Sequence, residues 1–350
     1  MGSEPRCLKK RKGKSVMTIK KFLFSMISFG GSIHAAELEN IDNDRFSKLF
    51  RNIKLERALQ PSKSTPSTKE EAKKGEVFSE GKKKVLITTK EQLEGLRGEF
   101  SVAAVQIKIT GENKSWVKTL AAMLPQTQIM KLDIDANKIG LEGVRFLAKM
   151  LPKTKVTKLR LGNNFKGAEG AKILAAVLPK TQITRLELWC NDIGEEGIKA
   201  LAEILPQTRI TALGLSGNDL GLKGTEALAA VLHKTKVKKL DLEYNDLWEA
   251  GMEALAGGLP HTKIKVLDLE FNGLGSQGAK SLAAVLPRTE VKVLNLKFNE
   301  IGEEGARALA EVLPKTKINW LVLERNEIGD AGRAALDAIK KKCPEIRVDY

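Results

Sequence analysis

Cysteine is scarce in this 350-residue chain, which contains only Cys7, Cys190 and Cys343. Cys7 lies close to the N-terminus. The other two are separated by five to six units of a 27-residue repeat, or roughly 25 Å if each stacked strand adds about 4.8 Å. This separation is too large for a disulfide bond. The chain therefore lacks a disulfide framework, and its stability must come from packing and hydrogen bonds that hold in a reducing compartment as well.

Histidine is equally scarce, with His34, His233 and His261 as its only members. We interpret the last two as solvated residues of repeat loops. The glycines recur at a fixed period, so they do not form a phosphate-binding loop, and the sequence shows neither metal-ligand spacing nor a nucleophile elbow. We predict that the protein is not an enzyme and has no catalytic residues, no metal site, no cofactor and no small-molecule substrate.

Long apolar runs are missing except near the N-terminus, where residues 22–33 follow Lys20 and Lys21. A basic start, a short apolar run and small residues after it are typical of a secretory signal peptide, and the run is too short to cross a bilayer. We expect residues 1–36 to be a basic leader with a signal peptide, and Met17 would be its natural initiator. The alternative is a leader without an export role. The expected location is secreted or periplasmic, and delivery into a host cell is also compatible with the lack of disulfides.

Residues 37–84 differ in composition from the chain that follows. Apolar residues at helical spacing among Lys and Arg predict a basic amphipathic helix over residues 43–59. We favour packing of this helix on its own protein over binding to membranes or acidic partners. Residues 60–84 are rich in Pro, Ser, Lys and Glu, which predicts a disordered linker. The net charge is +16, but residues 1–36 contain eight Lys/Arg and one Glu, which leaves +9 without them.

The most regular feature is an asparagine that recurs every 27 residues. A fixed period of this length indicates a solenoid, in which each structural unit contacts mainly its neighbours. We predict that these asparagines bond buried backbone groups in a turn. The series is Asn137, Asn164, Asn191, Asn218, Asn245, Asn272, Asn299 and Asn326.

Each unit has the same internal pattern. Alternating leucines before the asparagine predict a very short strand. A glycine stands six residues after each asparagine, and we expect it to permit a sharp turn or close packing against the neighbouring unit. An Ala/Leu-rich stretch then predicts a helix. A Leu-Pro-x-Thr sequence, with His233 replacing proline once, ends the helix, and its threonine is expected to bond carbonyl groups at the helix end.

The pattern Leu-x-Leu-x-x-Asn-x-Ile-Gly-x-x-Gly followed by an alanine-rich helix resembles the ribonuclease-inhibitor-like subclass of leucine-rich repeats, which includes the arrays of NOD-like receptors and the Ran GTPase-activating protein. The resemblance implies an α/β fold, a right-handed solenoid in the form of a horseshoe or arc, with a parallel β-sheet on the concave face and α-helices on the convex face. It departs from the subclass in its uniform 27-residue period. We predict an N-terminal cap and degenerate repeat over residues 85–131, and eight repeats with a C-terminal cap strand over residues 132–350.

Charge is separated between the two kinds of loop. Lys and Arg cluster in the helix-to-strand loops, as at Lys153 and Lys155, and acids cluster near helix starts, as at Glu195 and Glu196. This arrangement complements the helix dipole, and we take it as the default interpretation. The alternative is an anion-binding ridge for phosphate, lipid head groups or nucleic acid.

A binding site is expected where side chains are not needed for the solenoid, on the solvent-facing strand positions and the residue before each asparagine. Tyr244, Phe271 and Phe298 should form an aromatic column beside an acidic one, since adjacent strands are about 4.8 Å apart. The alternative is that these rings help to pack adjacent units. The predicted protein-binding residues are Trp189, Asp241, Glu243, Tyr244, Asp268, Glu270, Phe271, Phe298, Trp320 and Arg325.

These observations predict a non-enzymatic scaffold that binds a partner protein on its concave face. The flanking acids favour a basic partner. Nucleic acid is not an expected partner, and neither is a membrane once the signal peptide is removed. One alternative is a regulator of a small GTPase, which rests on resemblance to the Ran activator alone. Another is a secreted effector that acts on a host protein.

Overall fold

The structure is a computed structural model that describes residues 76–79, 82–95, 102–107, 109 and 115–350. The predicted signal peptide, the predicted amphipathic helix over residues 43–59 and most of the predicted linker lie outside the described residues. The described residues belong to one compact unit, Lys69–Tyr350.

Short strands and helices alternate along the chain. The strands are β1 (Glu76–Ser79), β2 (Lys82–Ile87), β3 (Val102–Ile107), β4 (Lys131–Asp133), β5 (Lys158–Arg160), β6 (Arg185–Glu187), β7 (Ala212–Gly214), β8 (Lys239–Asp241), β9 (Val266–Asp268), β10 (Val293–Asn295), β11 (Trp320–Val322) and β12 (Arg347–Asp349). The helices are α1 (Lys90–Glu94), α2 (Ser115–Met123), α3 (Gly140–Met150), α4 (Ala168–Ala175), α5 (Gly194–Ile204), α6 (Gly221–Leu232), α7 (Trp248–Gly258), α8 (Gly275–Val285), α9 (Gly302–Val312) and α10 (Gly329–Lys342).

All twelve strands form one open sheet in sequence order. Strands β2 to β12 are parallel, and β1 pairs with β2 in the antiparallel sense. From β4 to β11 equivalent residues pair at intervals of 27, as in Leu240 with Leu267. This in-register parallel sheet, with one helix between successive strands, confirms the predicted α/β leucine-rich-repeat solenoid.

The core is a row of aliphatic side chains repeated from unit to unit. The central leucine of each strand from β4 to β11 is buried, and so are the Leu or Ile two residues later and a leucine of the following helix, for example Leu240, Leu242 and Leu255. The alternation predicted from sequence therefore holds, because only every second side chain of a three-residue strand can point inward.

The recurring asparagines form a hydrogen-bonded ladder through the core, as predicted. Asn245 is fully buried, and its Nδ2 donates to the carbonyls of Leu215 (3.1 Å) and Leu242 (2.9 Å). Its Oδ1 accepts from the backbone N–H of Asn218 at 2.9 Å. One side chain thus satisfies buried backbone groups in two successive units, groups whose desolvation would otherwise cost free energy.

The threonines that follow the helices also behave as predicted. The hydroxyl of Thr289, for example, donates to the carbonyl of Leu286 at 2.9 Å. Thr262 is an exception, since its buried Oγ1 has no hydrogen-bond partner within the described residues. The backbone before Thr262 differs from that of the other repeats, because His261 adopts a left-handed conformation with φ +68°.

The glycine six residues after each asparagine serves close packing and not a turn. It lies in the first turn of the helix, and a β-carbon built on Gly197 would meet the Ile193 side chain at 2.4 Å. The left-handed turn is made three residues earlier, for example at Gly194 with φ +63°.

Both ends of the array differ from the repeats between them. At the front, the predicted capping box is present, with Thr89 Oγ1 accepting from the backbone N–H of Gln92 at 3.2 Å. At the back, β12 adds the predicted further strand. Strand β1 is a departure, because it and the start of β2 lie inside the predicted disordered linker. Pairing of these two segments with each other supplies backbone hydrogen bonds that composition alone does not reveal.

Candidate functional site

The aromatic column is present and contiguous. The ring centroids of Tyr244 and Phe271 are 5.2 Å apart, and those of Phe271 and Phe298 are 5.7 Å apart, with interplanar angles of 37° and 49°. These are the tilted arrangements that aromatic pairs prefer. All three residues have φ between +54° and +59°. The left-handed backbone at these positions makes a turn, after which the next residue is an asparagine of the buried ladder. The three rings are half-buried.

Four carboxylates lie beside this column at the ends of β8 and β9. Asp241 and Asp268 each accept a hydrogen bond from the backbone N–H two residues later, at 3.0 and 3.1 Å. The Glu270 carboxylate accepts from Asn295 Nδ2 at 3.1 Å. Burial, followed by repulsion from Glu243, raises the pKa of Glu270 above its usual value. The acids are thus held in fixed positions in a partly desolvated surface, where an added cation would relieve their repulsion.

Lys297 places a cation against this surface within the chain itself. Lys297 Nζ lies 2.5 Å from the Glu324 carboxylate and 5.6 Å from the centroid of the Phe298 ring. This distance is within the range of a cation–π interaction. A ring face and a carboxylate therefore accept one ammonium group together at the end of the column.

Arg325 and Trp320 lie in different places relative to the column. Arg325 is exposed and occupies the column position of the next unit, with φ +62°. Trp320 is the first residue of β11, at the opposite end of the strand. Its ring is 38% exposed, lies 4.7 Å from the Arg347 guanidinium and donates from Nε1 to Asp349 at 2.8 Å. Arg325 extends the aromatic column, whereas Trp320 lies at the start of β11 and contacts Arg347 and Asp349 of β12.

Trp189 is buried, contrary to its predicted place as an exposed flank of the site. Its side chain is only 6% exposed. The indole covers Gly162 of the preceding unit and donates from Nε1 to Asp135 Oδ2 at 3.1 Å. Gly162 has no side chain, so the Trp189 ring can lie in the space that a side chain at position 162 would otherwise fill. Trp189 is therefore part of the packing of the sheet face.

The buried polar cluster under Trp189 was missed from the sequence. Asp135 accepts from Arg160 Nη2 at 2.5 Å and from the Gly162 backbone N–H at 2.6 Å. Burial, then the Asp133 carboxylate, raises the pKa of Asp135 to about 7, against the opposing effect of Arg160. The available signal was Gly162 itself, since a glycine at a strand-face position of one repeat leaves space for a large neighbour.

A second residue pair explains an irregularity of the repeat. Trp248 stands where the other seven repeats have glycine, and it keeps the left-handed backbone of that glycine with φ +54°. Its ring lies against Gly273, where a β-carbon would be only 2.6 Å from Trp248 Cζ3. The indole is 38% exposed at the strand-to-helix loop, close in sequence to the column residues. Trp248 is thus an exposed aromatic residue held in place at a conformational cost.

Within the part of the chain that the structure describes, no group of three or more His, Cys, Asp or Glu side chains is arranged to hold a metal ion. None of the helices in these described residues has both the length and the apolar character needed to span a bilayer.

A family comparison matches four stretches of the repeat array. The family model described as Leucine Rich repeat matches residues 181–202, 233–256, 261–283 and 289–310. The matched stretches are leucine-rich repeats, in agreement with the asparagine ladder and the in-register sheet.

Comparison with whole proteins adds little beyond the class. No curated protein sequence matches this chain. Among solved structures, a chain from the crystal structure of the Rad7 and Elc1 complex in yeast is similar over 96% of this chain and 91% of that chain, with 13% identity and a TM-score of 0.43. A likeness at this level carries no information on function.

Proposed function

We propose that this protein is a non-enzymatic scaffold that binds a basic partner protein on the sheet face of its solenoid. The docking surface comprises the column of Tyr244, Phe271 and Phe298 together with the four carboxylates Asp241, Glu243, Asp268 and Glu270. Leucine-rich-repeat proteins are interaction scaffolds, and this class supports binding to a protein. The observation that carries the location is the stacked ring column next to fixed carboxylates.

The aromatic part supplies contact area. Half-buried rings lose little side-chain entropy on binding because their neighbours already hold them, and aromatic residues dominate the energetics of protein interfaces. The chain has few aromatic residues, only 5% of the total. Three of them stacked on successive strands therefore form a concentrated anchor for a partner.

The acidic part supplies selectivity. Burial, and after it repulsion from the Glu243 and Asp268 carboxylates, raises the pKa of Glu270. A partner that presents Arg or Lys removes this repulsion, whereas an acidic partner increases it. Within the chain, Lys297 already makes both kinds of contact, an ion pair with Glu324 and a cation–π contact with the Phe298 ring.

The test is capture of a partner by a variant that keeps the backbone intact. Tyr244→Asn with Asp268→Asn changes one ring and one charge. Asn163 already occupies the column position of another unit with φ +51°, and an asparagine at 268 keeps the Oδ1 acceptor. Residues 37–350 are used as bait, and each captured protein is purified and measured for direct binding by calorimetry. We expect the variant to lose at least about 2 kcal/mol of binding free energy, as for interface hot spots.

A matched control changes the same residue classes on the helical side. Leu222→Gln with Glu226→Gln, both exposed in α6, should leave binding unchanged. Retained binding by the Tyr244/Asp268 variant would place the interface elsewhere on the solenoid, and a captured partner of acidic character would contradict the proposed selectivity.

We also propose that the protein is exported, on the basis of the signal-peptide layout of residues 20–36, to the periplasm, the cell exterior or a host cell. Expression of the full chain in its native cell, followed by fractionation and N-terminal sequencing, tests this. A mature N-terminus near residue 37 supports export. An uncleaved cytosolic chain refutes it. No structural observation favours the alternative of a GTPase regulator, which a GTP-hydrolysis assay would distinguish.

A further inference from the structure

One edge of the solenoid is strongly basic. It consists of eight segments of eight residues each, from 124–131 to 313–320 at 27-residue intervals, and each runs from the end of a helix to the first residue of the next strand. These segments contain 17 Lys/Arg and a single carboxylate, Glu290, so their net charge of +16 equals that of the whole 350-residue chain. We call them the basic edge. Its cations are Lys131, Lys153, Lys155, Lys158, Lys180, Arg185, Arg209, Lys234, Lys236, Lys238, Lys239, Lys263, Lys265, Arg288, Lys292, Lys315 and Lys317.

The cations of the basic edge are exposed and mostly lack carboxylate partners. All of them except Arg185 are exposed to solvent. Within the described residues, only Arg185 and Lys317 form ion pairs, with Glu187 and Glu290. The remaining positive charges point to solvent from one side of the sheet.

The helix dipole accounts for only part of this charge. Each helix C-terminus carries about −0.5 charge, so eight such ends amount to roughly −4. The net charge of the basic edge is +16. Most of the positive charge is therefore not needed to complement the helices, and it raises the self-repulsion of the chain. An excess of this size on one edge favours a polyanionic ligand.

The dimensions of the basic edge match those of a nucleic acid duplex. Eight strands at about 4.8 Å each place its first and last segments roughly 34 Å apart along the sheet, close to the roughly 34–36 Å of one turn of B-form DNA. The edge thus carries about one net positive charge per 2 Å, against about one negative charge per 1.7 Å of duplex. Length and charge density both fit a duplex segment of about one turn.

We propose that the basic edge binds duplex nucleic acid through the phosphate backbone, without reading base sequence. Proteins that bind single strands stack bases on aromatic side chains. Among the eight segments Trp320 is the only Phe, Tyr or Trp, and one face of its ring already lies against Arg347. The ligand chemistry is therefore that of phosphates alone. This surface lies at the opposite ends of the strands from the aromatic column, so its activity is independent of the proposed protein-binding site.

The experiment measures binding of a fluorescent 20-base-pair DNA duplex of arbitrary sequence to residues 37–350 by anisotropy over a range of salt concentrations. The test variant converts Lys234, Lys236, Lys238 and Lys239, the densest group of the basic edge, to glutamine. We expect the wild-type binding constant to fall steeply with salt. In a plot of the logarithm of the binding constant against the logarithm of salt concentration, each phosphate contact should contribute about −0.9 to the slope. The test variant should bind at least tenfold more weakly at about 0.1 M salt, with a shallower slope.

The matched control removes the same four charges from the helices by changing Lys118, Lys172, Lys199 and Lys223, all exposed, to glutamine. Its affinity for the duplex should stay within about twofold of wild type. Equal weakening in both variants would show that net charge alone drives binding and would overturn the site. Equally tight binding of polyglutamate or of phosphatidylserine vesicles, with competition against the duplex, would also overturn the nucleic acid assignment. The Tyr244→Asn/Asp268→Asn variant should bind the duplex normally, so failure of one proposal leaves the other testable.

Discussion

Gly162 and Trp189, one repeat apart on the sheet face, form a complementary pair. A β-carbon on Gly162 would lie 2.0 Å from Trp189 Cε2, so the indole occupies the volume that any other residue at position 162 would fill. From there Trp189 reaches Asp135 in the repeat before that. The absence of one side chain thus decides both the burial of a tryptophan and the environment of a carboxylate two units away.

The first prediction follows from this pair. Gly162→Ala should displace the indole, break the Trp189–Asp135 hydrogen bond and lower the free energy of unfolding by about 1–3 kcal/mol, the usual cost of overpacking. Denaturant unfolding and the emission maximum of tryptophan measure the two effects. Gly257→Ala is the control, because a β-carbon there meets no atom within 4 Å. Since alanine is favoured over glycine in helices, that variant should gain about 0.5–1 kcal/mol. Equal effects at both positions would contradict the packing of Trp189 on Gly162.

The second prediction concerns the asparagine ladder. Asn245→Ala leaves the Asn218 N–H and the carbonyls of Leu215 and Leu242 without their side-chain partner. We expect a loss of at least about 2 kcal/mol in unfolding free energy, since each unsatisfied buried group costs about 1–3 kcal/mol. Asn163→Ala should cost less than about 1 kcal/mol, because Ala136 already occupies the equivalent position with φ +62°. Unchanged thermal stability of the Asn245 variant would refute the role of the ladder.

The third prediction concerns Trp248 and Gly273. Gly273→Ala should destabilise the protein, because it adds a β-carbon 2.6 Å from the Trp248 ring at a residue with φ +61°. In a Trp248→Gly background the same change should cost less, since only the backbone penalty of about 1–2 kcal/mol remains. A double-mutant cycle on unfolding free energies measures the coupling, which we expect to reach about 1 kcal/mol. Additive effects would show that the two residues do not contact each other.

The fourth prediction is the pH dependence of cation binding at the sheet face. Because the pKa of Glu270 is raised above 4.5, this residue loses its charge at a higher pH than an ordinary glutamate. Affinity for an arginine-rich peptide should therefore fall as the pH is lowered, and the fall should begin at a higher pH than the titration of an ordinary glutamate would give. Calorimetry over a series of pH values measures this. Glu270→Gln should bind more weakly at pH 7 and show a flatter profile, whereas an identical profile would remove Glu270 from the site.

Most of the fold could be predicted from sequence because the same pattern of residues occurs eight times at a fixed spacing. The strand pattern, the asparagine at 27-residue intervals and the threonine after each helix all have a local cause, and each was found in place. The predicted contiguity of Tyr244, Phe271 and Phe298 also holds, since register alone fixes which residues are neighbours in a parallel sheet. β1 was missed because its pairing depends on a partner strand and not on its own composition.

The candidate site was less predictable because exposure depends on neighbouring units. Trp189 and Tyr244 lie near equivalent places in their repeats, yet the first is buried because the preceding unit carries Gly162. Trp320 and Arg325 lie in one repeat, but Trp320 begins the strand and contacts β12, whereas Arg325 follows the strand. The burial of Asp135 could not be foreseen, since it requires the positions of side chains from three units at once.

The uniform 27-residue spacing of the buried asparagines has an evolutionary consequence. Because every unit presents the same hydrogen-bonding groups to the units before and after it, a whole unit can be duplicated or lost without breaking the register on either side. Such an event would move the rings of Tyr244, Phe271 and Phe298 relative to the rest of the sheet face in steps of one strand. Gene rearrangement could thereby change the spacing of contact residues while the buried framework stays the same.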